Sequence, residues 1–109
     1  MVKLEFYVPQ SSAEPVKEAL FAIGAGRIGR YDRCSWETAG TGQFRGDDEA
    51  RPALGTPGRL ERVEELKVEM VLEDQILGAA ITALQETHPY EEPIFAVWKV
   101  NREIAIGSG

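Results

Sequence analysis

Two runs of strict alternation constrain this chain most. Val2, Leu4, Phe6 and Val8 alternate with Lys3, Glu5 and Tyr7, and much later Leu66, Val68, Met70 and Leu72 alternate with Glu65, Lys67, Glu69 and Val71. A period of two is that of a strand with one buried face. Each run is followed by a different period. Val16, Ala19, Leu20 and Ile23 keep i, i+3, i+4, i+7 spacing, and Ile76, Leu77, Ala80, Ile81 and Leu84 likewise share one helical face. A strand-then-helix unit therefore occurs twice, and any fold must cover both helix stripes and one side of each strand.

The boundaries follow from breakers and caps. Pro9-Gln10-Ser11-Ser12 ends the first strand, and Ser11 or Ser12 is placed to cap the first helix. Gly24 and Gly26 stop that helix, since glycine takes the left-handed cap conformation without steric cost. A second strand is expected over 29–37, carried by Tyr31, Cys34 and Trp36. Gly40-Thr41-Gly42 reads as a turn, Gln43-Phe44-Arg45 as its short returning hairpin, and 46–59 as a long loop. The next strand is expected over 62–72. Glu73 and Asp74 suit the positive end of the second helix dipole. His88-Pro89 ends that helix, because the residue before a proline avoids helical geometry. The last strand is expected over 94–100, and 103–109 is expected as a flexible tail after a single domain, 1–102.

The order is βαββαβ, the split unit of α+β ferredoxin-like folds, with one antiparallel sheet and both helices on one face. The other face also carries apolar groups: Tyr7, Val71, and either Phe95 with Val97 or Ala96 with Trp98. That calls for a second packing partner, and for a chain of 109 residues another copy is the natural one.

Charge and composition exclude some functions. The net charge of −6 argues against general nucleic-acid binding. No apolar run reaches the roughly 18 residues of a membrane span, and Met1-Val2-Lys3-Leu4-Glu5 lacks the layout of a secretory signal. A single cysteine, Cys34, excludes an internal disulfide and points to a reducing cytoplasm. Between Gly26 and Arg62 seven arginines face six acids, whereas the rest of the chain is strongly acidic. The middle is thus where an anion would be attracted, unless its charges are simply solvated. Gly26, Gly29, Gly40 and Gly42 suit exposed backbone N–H groups there, with Arg27, Arg30 and Arg45 near, although turns alone explain the same glycines.

His88-Pro89-Tyr90-Glu91-Glu92-Pro93 holds the only histidine beside a tyrosine and two carboxylates. A helix-to-strand junction needs a breaker; it does not need that chemistry. His88 with Glu91 or Glu92, of which only one joins it easily because neighbours on an extended chain point apart, and with Cys34 from elsewhere in the fold, offers N, O and S donors to a divalent metal, His88, Glu91 and Cys34 being the expected set. The alternative is structural, with His88 capping the helix end and Tyr90 filling a subunit contact. Cys34 with His88 has the makings of a nucleophile and base, but no cysteine-enzyme signature surrounds Cys34 and it falls in an expected strand.

Four blocks in order carry a resemblance: Gly26 to Trp36, Gly40 to Phe44, Pro52-Ala53-Leu54-Gly55, and His88 to Pro93. Over 1–100 they resemble the NGG-interacting-factor-three-like family, and within it the inserted domain, which is similar in fold to the PII signalling and CutA proteins. With the residue patterns above, the expectation is a homo-oligomer, trimer preferred over dimer, with ligand or interface positions at His88, Tyr90, Glu91, Glu92, Tyr31, Arg30, Gly40 and Gly42. Full-length members carry two further lobes with a two-metal site of histidines, an aspartate and a glutamate. One histidine does not furnish such a site. The expectation is therefore a non-enzymatic, regulatory module for a small ligand or divalent metal. The alternatives are a metal-dependent hydrolase related to the full-length members and a ligand-free structural or interaction protein.

Overall fold

The computed structural model describes residues 1–51 and 55–101. The expected tail and the centre of the expected long loop, 52–54, lie outside the described residues. Strand β1 is Val2–Pro9, helix α1 Ala13–Ala22, β2 Trp36–Phe44, β3 Glu61–Leu72, α2 Leu77–Thr87 and β4 Phe95–Lys99, with short 3₁₀ turns leading into both helices. The sheet order is β2-β3-β1-β4, and every pairing is antiparallel. This is the ferredoxin-like α+β arrangement.

The two alternating runs pair with each other at the centre. Val2 faces Leu72, Leu4 faces Met70, Phe6 faces Val68 and Val8 faces Leu66. All four pairs lie on one face, because cross-strand partners point the same way. Helices α1 and α2 cover that face with Val16, Leu20, Ala80 and Leu84, all fully buried. Phe6, at 0% exposure in the middle of a central strand, anchors the core. The α1 stop is as expected: Gly24 and Gly26 have φ of +104° and +79°. No side-chain cap from Ser11 or Ser12 forms; Gln10–Ser12 makes a 3₁₀ turn instead.

The second strand departs from expectation. It runs Trp36–Phe44, not 29–37, and Gly40-Thr41-Gly42 lies inside it, paired with Glu65, Glu64 and Val63. Gly40 and Gly42 are not a turn; their backbone is extended and hydrogen-bonded along β3. The physical reason is the length of β3, whose twelve residues offer a template beyond the end of β1. Residues 28–31 form a tight turn closed by Ile28 and Tyr31, with Gly29 at φ +59°. β2 and β3 pair antiparallel and project as an arm, and the extents are 51 × 24 × 22 Å.

The open face has a charged centre and apolar margins. Lys3 bridges Glu69 at 2.5 Å and Glu5 at 3.4 Å, and Glu5 also meets Lys67 at 3.8 Å. Around this network lie Tyr7, Trp36, Ala96 and Trp98, which settles the β4 register: Ala96 and Trp98 face outward, Phe95 inward. Trp36 and Trp98 remain 68% and 55% exposed.

Phe6→Ala is expected to cost about 3–5 kcal/mol, the usual cost of truncating a fully buried phenylalanine. Urea unfolding checks this; a loss below about 1 kcal/mol would show that the β1–β3 centre is not the core.

Candidate functional site

The His88–Pro93 segment leaves α2 and crosses to the open face. His88 is extended, with ψ 138°, and its amide closes the last helical turn onto the Leu84 carbonyl at 2.9 Å. The residue is 6% exposed, and its ring lies between two backbone groups. The Tyr90 amide donates to Nδ1 at 3.0 Å, so Nε2 carries the proton and donates to the Tyr7 carbonyl at 2.6 Å. Burial pushes the imidazole pKa down, against smaller upward pulls from the Tyr7 carbonyl and the Glu65 charge. His88 is thus a neutral tie between β1 and the segment that follows α2.

That tie aims Tyr90. Its ring stands 5.0 Å from the His88 ring and 5.7 Å from Phe44 of β2. Its hydroxyl donates to Glu65 Oε2 at 2.6 Å. Burial, then the hydrogen bond and charge of Glu65, raise the Tyr90 pKa well above the ordinary tyrosine value, so the phenol keeps its proton. Glu65 is 8% exposed, rare for a carboxylate. It fits because Gly42 has no side chain: a Cβ there would collide with the Glu65 carboxyl group. At Gly40 a Cβ would meet nothing within 4 Å, so the floor beside the carboxylate is open.

These groups border a groove of about 710 Å³ on the open face. Its floor is Gly40 and Gly42, its walls include Tyr7, Phe44 and Tyr90, and Glu65 stands at its inner edge. Glu91, Glu92, Arg45 and Ile94 line its mouth, and the Arg51 amide donates to Glu91 Oε1 at 3.0 Å, joining the loop to the segment.

The expected site residues therefore divide. Tyr90, Glu91, Glu92, Gly40 and Gly42 line this groove, and His88 lies behind it. Arg30 and Tyr31 do not; they sit in the exposed 28–31 turn at the opposite end of the sheet. Cys34 belongs to that end too. Its amide bonds the Gly26 carbonyl, and the Gly26 amide bonds Val71, the partner of Lys3. His88 bonds Tyr7, four residues further along β1, about 13 Å at strand rise. The proposed metal set His88, Glu91 and Cys34 is thus not assembled within one copy, and both His88 nitrogens are already engaged. No cluster of three or more His, Cys, Asp or Glu arranged for a metal occurs among the described residues. The same separation keeps Cys34 from acting with His88 as nucleophile and base.

Sequence reasoning missed Glu65 and Tyr7. Glu65 alternates with Leu66 just as Lys67 and Glu69 alternate with their apolar neighbours, and nothing local distinguishes it. Only the glycines opposite it on β2 hinted at close approach.

No family model matches the chain. Curated relatives match strongly. A GTP cyclohydrolase 1 type 2 homolog of Mycobacterium tuberculosis is 46% identical over 96 residues, 88% of this chain and 25% of the relative. One from Bacillus subtilis is 39% identical over 100 residues, 92% of this chain and 27% of the relative. The chain thus spans about a quarter of the length of the curated relatives it matches. Among solved structures, the Bacillus cereus protein related to NIF3 superposes with a TM-score of 0.75 at 35% identity, covering 92% of this chain and 25% of that one. CutA1 of Pyrococcus horikoshii superposes at 0.66 with 16% identity, covering 97% and 92%. The PII-like CutA of Nostoc superposes at 0.62 with 18% identity, covering 95% and 85%. At those identities the CutA likeness concerns the fold alone.

His88 titration is expected to appear in stability. Its folded pKa lies below the ordinary 6.5, so its contribution is present above that value and is lost as pH falls through the folded value. Urea stability should be level near pH 7.5 and decline toward about pH 5.5, where histidine is the side chain that normally titrates. His88→Asn should remove the decline, and a flat wild-type profile would contradict the burial described. Tyr90→Phe should cost about 1.5–3 kcal/mol, because it strips a carboxylate of its donor; equal urea midpoints would show that the Glu65 bond is absent in solution.

Proposed function

Because the chain belongs to the family of the GTP cyclohydrolase 1 type 2 homologs and NIF3-related proteins, as a PII/CutA-like domain, we propose that it is a non-enzymatic, regulatory binding module. It holds a small ligand in the groove between the β2–β3 arm and the His88–Pro93 segment. The observation that carries this is the groove's construction: a glycine floor, aromatic walls and one nearly buried carboxylate held by Tyr90. Pockets of this size, mostly apolar with a few placed polar groups, are the usual form of small-molecule sites.

The geometry favours binding over catalysis. His88 spends both nitrogens on backbone, the Tyr90 proton is held tightly, and Cys34 is remote. The name shared by the relatives speaks of a hydrolytic enzyme, but it belongs to proteins about four times the matched length. A divalent metal at His88 would have to displace either the Tyr7 carbonyl or the Tyr90 amide. Signalling would run through the loop after β2, because the Arg51–Glu91 bond connects that loop to the groove mouth.

We place the module in a homo-oligomer, trimer before dimer, in the cytoplasm. Trp36 and Trp98 on the open face, at opposite margins of a charged centre, are large apolar groups that a second copy would cover. The unpaired cysteine suits a reducing compartment. No helix among the described residues is long and apolar enough to cross a membrane.

Two measurements check this reading. Light scattering at micromolar concentration should give a multiple of the single-chain mass; a monomer would remove the oligomer. A screen of metabolites by amide chemical shifts should find binders that move Gly40, Gly42, Phe44 and Tyr90 together. Binders that move only other residues, or none at all, would refute the groove as the site.

A further inference from the structure

The Glu65 carboxylate is half-satisfied. Oε2 takes the Tyr90 hydroxyl, but Oε1 takes no hydrogen bond and no ion pair from any described residue. It is nevertheless not sealed in, since no buried side-chain polar atom among the described residues lacks a partner. Glu65, only 8% exposed as a residue, thus keeps one carboxylate oxygen open to the groove it lines. The neighbouring cation on the strand, Lys67, is directed to Glu5. Burial of a charge without a cation is costly, and a ligand bearing the opposite charge offsets that cost.

The surroundings narrow the cation. Oε1 itself lies against Gly42, and the floor next to it, at Gly40, is bare backbone with nothing within 4 Å of where a Cβ would stand, open to a flat group. The walls are the rings of Phe44, Tyr90 and Tyr7. A delocalised planar cation is weakly hydrated, stacks on aromatic faces and presents paired N–H groups to a carboxylate. An ammonium is compact and strongly hydrated, and gains less from such walls. Resting on the reading of the groove as a binding site, we infer that the groove recognises a planar amidinium or guanidinium group, docked on Glu65 Oε1 and stacked against Tyr90 and Phe44. The group comes either from a free small molecule or from an arginine of a second copy; the chemistry is the same.

Benzamidine, benzamide and benzoate test this, being near-isosteric probes of charge +1, 0 and −1. Amide-shift titration of the full chain should show benzamidine moving Gly40, Gly42 and Tyr90, roughly tenfold or more tighter than benzamide, as expected for a hydrogen bond to a charged group. Glu65→Gln keeps the shape and an acceptor for Tyr90; it should abolish the preference for benzamidine and leave benzamide unchanged. Gly40→Val puts a side chain on the open floor, where a Cβ meets nothing within 4 Å, and should weaken all three. If Glu65→Gln also lowers the oligomeric mass, and benzamidine does the same to the wild type, the natural group is an arginine of a second copy. An unchanged mass assigns it to a free molecule. Groove shifts with benzamide or benzoate bound as tightly as benzamidine would overturn the cation while leaving the binding groove intact. No groove shift from benzamidine would overturn the inference outright, whereas the groove itself fails only if the wider metabolite screen also leaves it unmoved.

Discussion

The pairing of β1 with β3, from Val2↔Leu72 to Pro9↔Glu65, is the constraint on which the rest depends. It sends every second side chain of both strands to one face, and that face is what the helices bury. A one-residue slip of β1 would put Lys3 and Glu5 into the core, and a slip of β3 would put Lys67 and Glu69 there, a loss no other contact here would offset. The same register fixes the open face. Tyr7, Lys67 and Glu65 come to lie near one another there because Leu66 and Val68 must lie on the other side.

The site straddles the point where β1 ends and β3 runs on, with Glu65 the last β3 residue that β1 pairs. Beyond Pro9 the strand pairs only with β2, so the arm has one neighbour instead of two, and its open face is free. The His88–Pro93 segment closes this region through a short relay: the Tyr7 carbonyl holds His88, His88 holds the Tyr90 amide, and the Tyr90 hydroxyl holds Glu65. Each link is a hydrogen bond to a nearly buried polar group, where an unmade bond costs more than a made one yields. The histidine that looks like chemistry in the sequence is therefore the positioning element, and the tyrosine and glutamate it orients face the groove.

Legibility differed by residue for definite reasons. The β1 and β3 runs and both helix stripes were readable because burial of one face imposes a period. Gly24, Gly26 and His88-Pro89 were readable as stops because backbone geometry demands them there. Gly40-Thr41-Gly42 misled: two glycines usually mean a reversal, but here they are strand residues whose missing side chains make room, at Gly42 for the Glu65 carboxylate and at Gly40 for the groove floor. Arg30, Tyr31 and Cys34 were grouped with His88 by their nearness to glycines and by residue type, and the sheet puts them at its far end.

Periodicity, breakers and the order of elements are local quantities, written in the spacing of apolar residues, and from them the sequence by itself determined the ferredoxin-like arrangement and the junction at His88. Which polar residues meet is not local. Tyr7, Gly42, Glu65 and Tyr90 come from four separate stretches, and their meeting depends on strand register and on how far β3 outruns β1. Only the tertiary structure decided that Glu65, one acid among many on an alternating strand, would be the one carried out of water with an oxygen left open.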